Sequence, residues 1–252
     1  MNYTSEILYT HNKDEKIFGV MYKPSGENKK YPVCVLGHGF NGRKDEMKPY
    51  AEYLARHGIC AYYIDFRGGC ETSRSDGDTL KMSIVTEAED FVCVVDEISK
   101  LDYIDENNIF LSGVSQGGIV TSVAAAKIPD KIRGIVPMYP GYMIPEMFRR
   151  QYPDRDAIGE KQFHFVMEIG RIYFEHAWAM DVYKEISAYE GPVLILCGDK
   201  DEFVSIEDCE RAVAVYKNAR LHVYPGQPHG FTGEYFTKSC EELTAFIKEN
   251  CV

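Results

Sequence analysis

Asn108-Ile-Phe-Leu-Ser-Gly-Val-Ser-Gln-Gly-Gly118 is an apolar run that ends on a serine set between glycines and then continues into a helix-compatible stretch. Residues 109–111 read as a buried strand, and residues from Gln116 onward read as a helix. Gly113-Val-Ser-Gln-Gly117 therefore falls on a strand–turn–helix, which is the context of a nucleophile elbow. The glycines have a steric reason. A serine on so sharp a turn leaves no room for side chains two residues before and after it, where strand and helix pass each other. The plainer reading is a turn whose serine caps a helix. The surrounding chain argues against it.

Working outward, short apolar runs alternate with longer amphipathic ones. Strand candidates are 32–36, 58–65, 108–112, 133–138, 192–197 and 221–224. Such continuous runs suit a parallel sheet covered on both faces. Helices are expected at 45–57, 80–101, 116–127, 206–216 and 236–248. In the second of these, Ile84, Ala88, Phe91, Val92, Val95 and Ile98 fall on one apolar stripe. Strands near 5–9 and 16–22, joined by a short turn, should pair antiparallel. The expectation is a three-layer α/β domain with right-handed crossovers. From 141 to 189 no strand is evident in a stretch rich in Met, Phe, Tyr and Arg. It reads as a cap over one end of the sheet, or alternatively as ordinary core helices. Residues 1–140 and 190–252 are then the core.

The bulk properties narrow the class. A chain of 252 residues can bury a large core without disulfide or metal staples. Its formal charge of −11 opposes binding to a phosphate backbone, so no nucleic-acid partner is expected. The eight cysteines form no C-x-x-C pair. Cys34, Cys60 and Cys197 sit in strand-like runs as small hydrophobes, which fits a reducing compartment. Residues 1–10 lack the pattern of a secretory signal, and no apolar run approaches the ~20 residues of a membrane span. A cytoplasmic location, without membrane contact, is expected.

A serine hydroxyl needs a base. Of seven histidines, His229 stands out, in the loop Pro225-Gly-Gln-Pro-His-Gly230 after the last strand. Loops beyond the carboxyl ends of parallel strands are where ligands bind in such sheets. His222 lies inside that strand. His11, His57, His164 and His176 are assigned surface or packing roles. The acid should fall between serine and histidine in the chain. Asp199 follows the strand directly and suits a turn-forming role. Asp201 has the reach to meet His229 and is preferred, with Glu202 third. An oxyanion needs two backbone N–H donors. Gln116 supplies one, and Phe40 in Gly37-His-Gly-Phe-Asn-Gly42 the other, with His38 tying that loop down.

His38-Gly-Phe-Asn-Gly42, Asp65-Phe-Arg-Gly-Gly69 with Ser75-Asp-Gly77, Gly113-Val-Ser-Gln-Gly117, Gly198-Asp-Lys-Asp201 and Pro228-His-Gly-Phe231 follow one another in a familiar order. In this the chain resembles the bacterial cinnamoyl (feruloyl) esterases of the α/β-hydrolase superfamily, over most of its length. The resemblance implies an α/β-hydrolase fold: a mostly parallel central sheet flanked by helices, with a small cap insertion. It implies Ser115 as nucleophile, Asp201 as acid, His229 as base, and Phe40 and Gln116 as oxyanion donors. It also implies a capped apolar pocket for an aromatic acyl group. Tyr142, Met143, Trp178 and Phe231 are the candidate pocket residues; Tyr142, Asp154, Asp156 and Gln162 are candidates for a phenolic hydroxyl. The sequence departs from the family in Asn41, where a threonine is common, and in Cys70.

The expected activity is hydrolysis of small aromatic or short-acyl esters through an acyl-enzyme, without metal or organic cofactor. A peptidase or thioesterase with the same triad is the nearest alternative. A non-catalytic binding protein on the same fold is a further one. The aromatic insertion suits either a pocket or a homodimer contact.

Overall fold

The computed structural model describes residues 2–26 and 30–252. Among these residues, ten strands and eight α-helices follow in the order β1 (Tyr3–Asn12), β2 (Glu15–Pro24), β3 (Tyr31–Gly37), α1 (Lys48–Arg56), β4 (Cys60–Ile64), α2 (Ile84–Ile98), β5 (Ile104–Val114), α3 (Gln116–Lys127), β6 (Gly134–Met138), α4 (Ile144–Gln151), β7 (Lys161–His164), β8 (Met167–Gly170), α5 (Arg171–Ala179), α6 (Val182–Ile186), β9 (Val193–Gly198), α7 (Ile206–Val215), β10 (Ala219–Tyr224) and α8 (Gly233–Asn250). Eight strands form one sheet in the order β1-β2-β4-β3-β5-β6-β9-β10. The pairs β1–β2 and β2–β4 are antiparallel; every other pair is parallel.

Alternate residues of the central strands divide between two apolar clusters. Val33, Val35, Ile109, Leu111 and Ile195 face α2, α3 and α7. Cys34, Leu36, Phe110, Val136 and Leu196 face α1 and α8. This period of two is what a pleated strand imposes, and it makes the molecule three layers thick.

Three expectations are corrected. The helix expected at 80–101 begins at Ile84, because Ser83 and Thr86 form a capping box that fixes its first turn. A short 3₁₀ turn, Thr79–Lys81, precedes it. The helix expected at 45–57 starts only at Lys48, with Pro49 in its first turn. The segment 141–189, expected to be strandless, contains the antiparallel hairpin β7–β8. Its strands have four residues each, too short for alternation to register in the sequence, and Phe163 points to solvent. The buried side chains of this segment, Phe148, Tyr173 and Phe174 among them, join the cluster on the α2–α3 face.

Candidate active site

Ser115 sits between β5 and α3 with φ 53° and ψ −118°, a conformation that side chains rarely adopt. Its neighbours allow it. A Cβ at Gly113 would lie 2.3 Å from Gly117 O, and one at Gly117 would lie 2.4 Å from His38 O. The turn is held by Ser115 N donating to Met138 O at 3.0 Å and by Gly141 N donating to Ser115 O at 3.0 Å.

His229 lies in the loop between β10 and α8. Its Nε2 is 2.9 Å from Ser115 Oγ, and its Nδ1 is 2.8 Å from Asp201 Oδ2. Asp201, in the loop after β9, has a fully buried carboxylate. Its Oδ1 also accepts from the N–H groups of Phe203 and Val204, at 2.8 and 2.9 Å. Burial opposes ionisation of this carboxyl, but the hydrogen bonds from His229, Val204 and Phe203 outweigh it and hold the group below the usual carboxylate range. With Nδ1 donating to a carboxylate, Nε2 is left to accept from the serine hydroxyl. Tyr139 and Phe203 flank the imidazole edge-on, with ring centroids 5.0 and 5.1 Å away.

Asp199 has a different task. Its Oδ1 accepts from Gly226 N at 2.6 Å and so joins the β9 loop to the β10 loop. Gln227, which sequence reasoning passed over, reinforces the junction. Its carbonyl accepts from Lys200 N at 3.0 Å, and its side chain accepts from Thr232 N at 3.1 Å. His38 is buried; Nδ1 donates to Gly39 O at 2.8 Å and Nε2 accepts from Phe66 N at 3.1 Å. Burial lowers its pKa, against the opposing Gly39 hydrogen bond, so it remains a neutral tie between two loops.

A cavity of about 810 Å³ opens over Ser115. Phe40, Gln116 and His229 line it beside the serine. Among the described residues, the backbone N–H groups of Phe40 and Gln116 have no hydrogen-bond acceptor. The second is expected for the first residue of a helix. The wall is mostly apolar, with Met143, Met147, Phe165 and Tyr173 prominent; its charged residues are Glu146, Arg150, Glu202, Glu207, Asp208 and Arg211.

Of the expected pocket residues, Met143 lines this cavity and three do not. Tyr142 is buried, with its hydroxyl 2.7 Å from Ser122 Oγ. The Trp178 indole donates to Tyr152 O at 3.2 Å. Phe231 packs edge-on against Tyr139 and Tyr224, behind His229. The candidates for a phenolic hydroxyl also lie elsewhere: Asp154 caps the turn Arg155–Ala157, and Gln162 donates to the Tyr152 hydroxyl. Asp156 does not line the cavity either. His164, assigned to surface or packing, lines the cavity among the rings of Phe40, Phe148 and Tyr173. Burial lowers its pKa. Tyr173 was missed as well. No individual helix is assigned in the sequence over Arg171–Ala179, so no face is assigned to Tyr173 there.

The sheet order, the strained serine between strand and helix, and the His229 loop after the last strand define an α/β-hydrolase. The sequence model of the prolyl oligopeptidase family matches residues 46–251, and the chain belongs to that family. Among solved structures it is similar to Est1E from Butyrivibrio proteoclasticus with ferulic acid bound, with a TM-score of 0.87 and 27% identity over 96% of this chain and 98% of that one. It is 32% identical over 118 residues to an uncharacterized 31.7 kDa protein of the traX-finO intergenic region of Escherichia coli, covering 46% of this chain and 40% of the relative. To a proline iminopeptidase of Chitinophaga pinensis it is 24% identical over 120 residues, covering 48% and 38%. These matches span about two fifths of the curated relatives' length. No helix among the described residues is long and apolar enough to cross a membrane.

Proposed function

We propose that this chain is a serine carboxylic-ester hydrolase that works through an acyl-enzyme, with Ser115 as nucleophile, His229 as base and Asp201 as its orienting acid. The observation that carries the reading is the continuous relay from Asp201 through His229 to Ser115 Oγ, with contacts of 2.8 and 2.9 Å, at the floor of an open cavity. His229 takes the serine proton as Oγ attacks the ester carbonyl. The N–H groups of Phe40 and Gln116 hold the oxyanion. The imidazolium returns the proton to the leaving alcohol, and water repeats the cycle on the acyl-enzyme.

The aromatic and methionine-rich wall supports an apolar, aromatic acyl group, and the likeness to an Est1E structure holding ferulic acid supports a hydroxycinnamoyl one. Eight free thiols, six of them buried, support a reducing, cytosolic setting. The test is hydrolysis of methyl ferulate and p-nitrophenyl butyrate by the wild type and by Ser115→Ala. Ferulate turnover lost in the variant is the expected result. Butyrate turnover alone moves the protein to general carboxylesterases, and no Ser115-dependent turnover of either refutes the reading.

Membership of the prolyl oligopeptidase family favours a second reading, amide hydrolysis by the same three residues. Aminoacyl p-nitroanilides, compared with the esters under the same conditions, separate the two.

A further inference from the structure

Glu87 is a carboxylic acid that the proposed chemistry leaves unused. It lies in the first turn of α2 and is 1% exposed. Its Oε2 accepts from Gln116 Nε2 at 2.8 Å. Gln116 Oε1 in turn accepts from the Tyr173 hydroxyl at 2.6 Å. The Gln116 side chain is thus clamped between α2 and α5, while its backbone N–H begins α3 next to Ser115. Three elements meet at the residue whose N–H faces the reacting carbonyl in the reading above.

Among the described residues, no cation pairs with Glu87. The nearest acid, Asp90 on the same helix, already takes the Arg67 guanidinium at 2.5 Å, and that guanidinium also reaches Glu15. From α5 come the Tyr173 hydroxyl, committed to Gln116, and His176, committed to Ser83 at 2.8 Å. From α3 comes only the Gln116 amide. A carboxylate held only by an amide, with no counter-charge, is unfavourable in such a place, whereas a neutral acid is tolerated.

We propose that Glu87, as a neutral acid, is a positioning residue for the oxyanion site, fixing Gln116 so that its backbone N–H meets the developing negative charge. The inference rests on the triad reading above. Burial pushes the Glu87 carboxyl up to about 8, with the Gln116 hydrogen bond opposing and Asp90 adding to the rise. Below that pH the group holds Gln116 without adding charge. Above it, a buried carboxylate stands one side chain away from where the oxyanion forms, and like charges in a low-dielectric site repel.

The test is the rate of Ser115 phosphonylation by a fluorophosphonate probe, whose P–O oxygen occupies the oxyanion position, from pH 6 to 10. Wild type should lose about tenfold in the limiting rate through a limb centred near pH 8, with probe affinity unchanged. Glu87→Gln, which keeps an acceptor for Gln116 and cannot ionise, should label at the wild-type rate and show no limb. Glu87→Ala should be roughly tenfold to a hundredfold slower at every pH, as a misplaced group would be. Coincident profiles for wild type and Glu87→Gln, a Glu87→Gln variant as slow as Glu87→Ala, or a Glu87→Ala variant at the wild-type rate would each overturn the proposal. A Ser115→Ala variant labelled like wild type, or a wild type that is not labelled, brings down the triad reading and this inference with it. Ser115-dependent labelling with coincident profiles brings down this inference alone.

Discussion

Ser115 and His229 are 114 residues apart in the chain, yet Oγ and Nε2 are 2.9 Å apart in the fold. Two separate loops of the sheet's carboxyl edge deliver them, one after β5 and one after β10. Neither loop has a reason to approach the other except through the parallel order β5-β6-β9-β10. Replacing either side chain by alanine should remove roughly three to six orders of magnitude from kcat, because members of such a relay act as a unit. The double variant should be little worse than either single one. Steady-state hydrolysis of an activated ester by the three variants checks this, and additive losses would count against a shared mechanism.

The strained turn at Ser115 gives a prediction of opposite sign for stability. With φ at 53°, glycine suits this position better than serine does. Ser115→Gly should abolish turnover and stabilise the fold by about 1–2 kcal/mol, a rise in Tm of very roughly 2–8 °C for a domain of this size. Calorimetry decides it. An unchanged or lowered Tm would mean that the turn stores no strain.

Asp201→Asn preserves the shape of the relay but offers His229 the wrong partner. A fall in kcat of about 10³–10⁴ is expected, with KM little changed. The same change bears on acid stability. The folded-state pKa of Asp201 is depressed, so its contribution to stability is present above the unfolded carboxylate value, near 3.9, and is lost as pH falls through the folded value. Wild type should therefore lose stability below about pH 4 more steeply than Asp201→Asn does. Parallel acid-denaturation curves would contradict the assignment.

Glu87 reverses that sign. Its folded pKa is raised to about 8, so the folded state holds a proton that the unfolded chain releases near pH 4.3. Stability from this group is complete below the unfolded value and declines as pH rises toward about 8, where it levels off. Glu87→Gln should melt above wild type at pH 8 and converge with it near pH 4. Melting curves across that range measure the gap directly, and a gap that does not widen with pH would refute it.

The parts of the site legible in the sequence are those fixed by local geometry. Gly113 and Gly117 announce the elbow because no other residue fits beside Gly117 O and His38 O. Asp201 could be told from Asp199 by reach alone, since a residue directly after the strand is consumed by the turn. The cavity wall was not legible in the same way. Tyr142 and Met143 are neighbours in sequence, but one turns into the α3 face and the other into the cavity. Helical periodicity held part of the answer. Met143, Met147 and Arg150, spaced four and three apart, share the cavity side of α4, while Phe148 turns to the core. The hairpin tip with His164 and Phe165 carries no such period, and Glu87 looks in sequence like any acidic residue near a helix start.

That division of the wall makes a final prediction about specificity. Tyr142 and Trp178 do not touch the cavity, so Tyr142→Phe and Trp178→Phe should leave KM for esters within about twofold. Tyr142→Phe should cost about 1 kcal/mol of stability through the lost contact with Ser122. Met147→Ala and Phe165→Ala, which remove apolar wall, should raise KM for an aromatic ester by very roughly tenfold, since each gives up on the order of 1–3 kcal/mol of apolar contact. Their effect on a small acetyl ester should be slight, because it does not reach that wall. The comparison of the two pairs on two substrates separates a wall residue from a core residue. A Trp178→Phe variant with an altered aromatic preference would restore tryptophan to the pocket and overturn the placement.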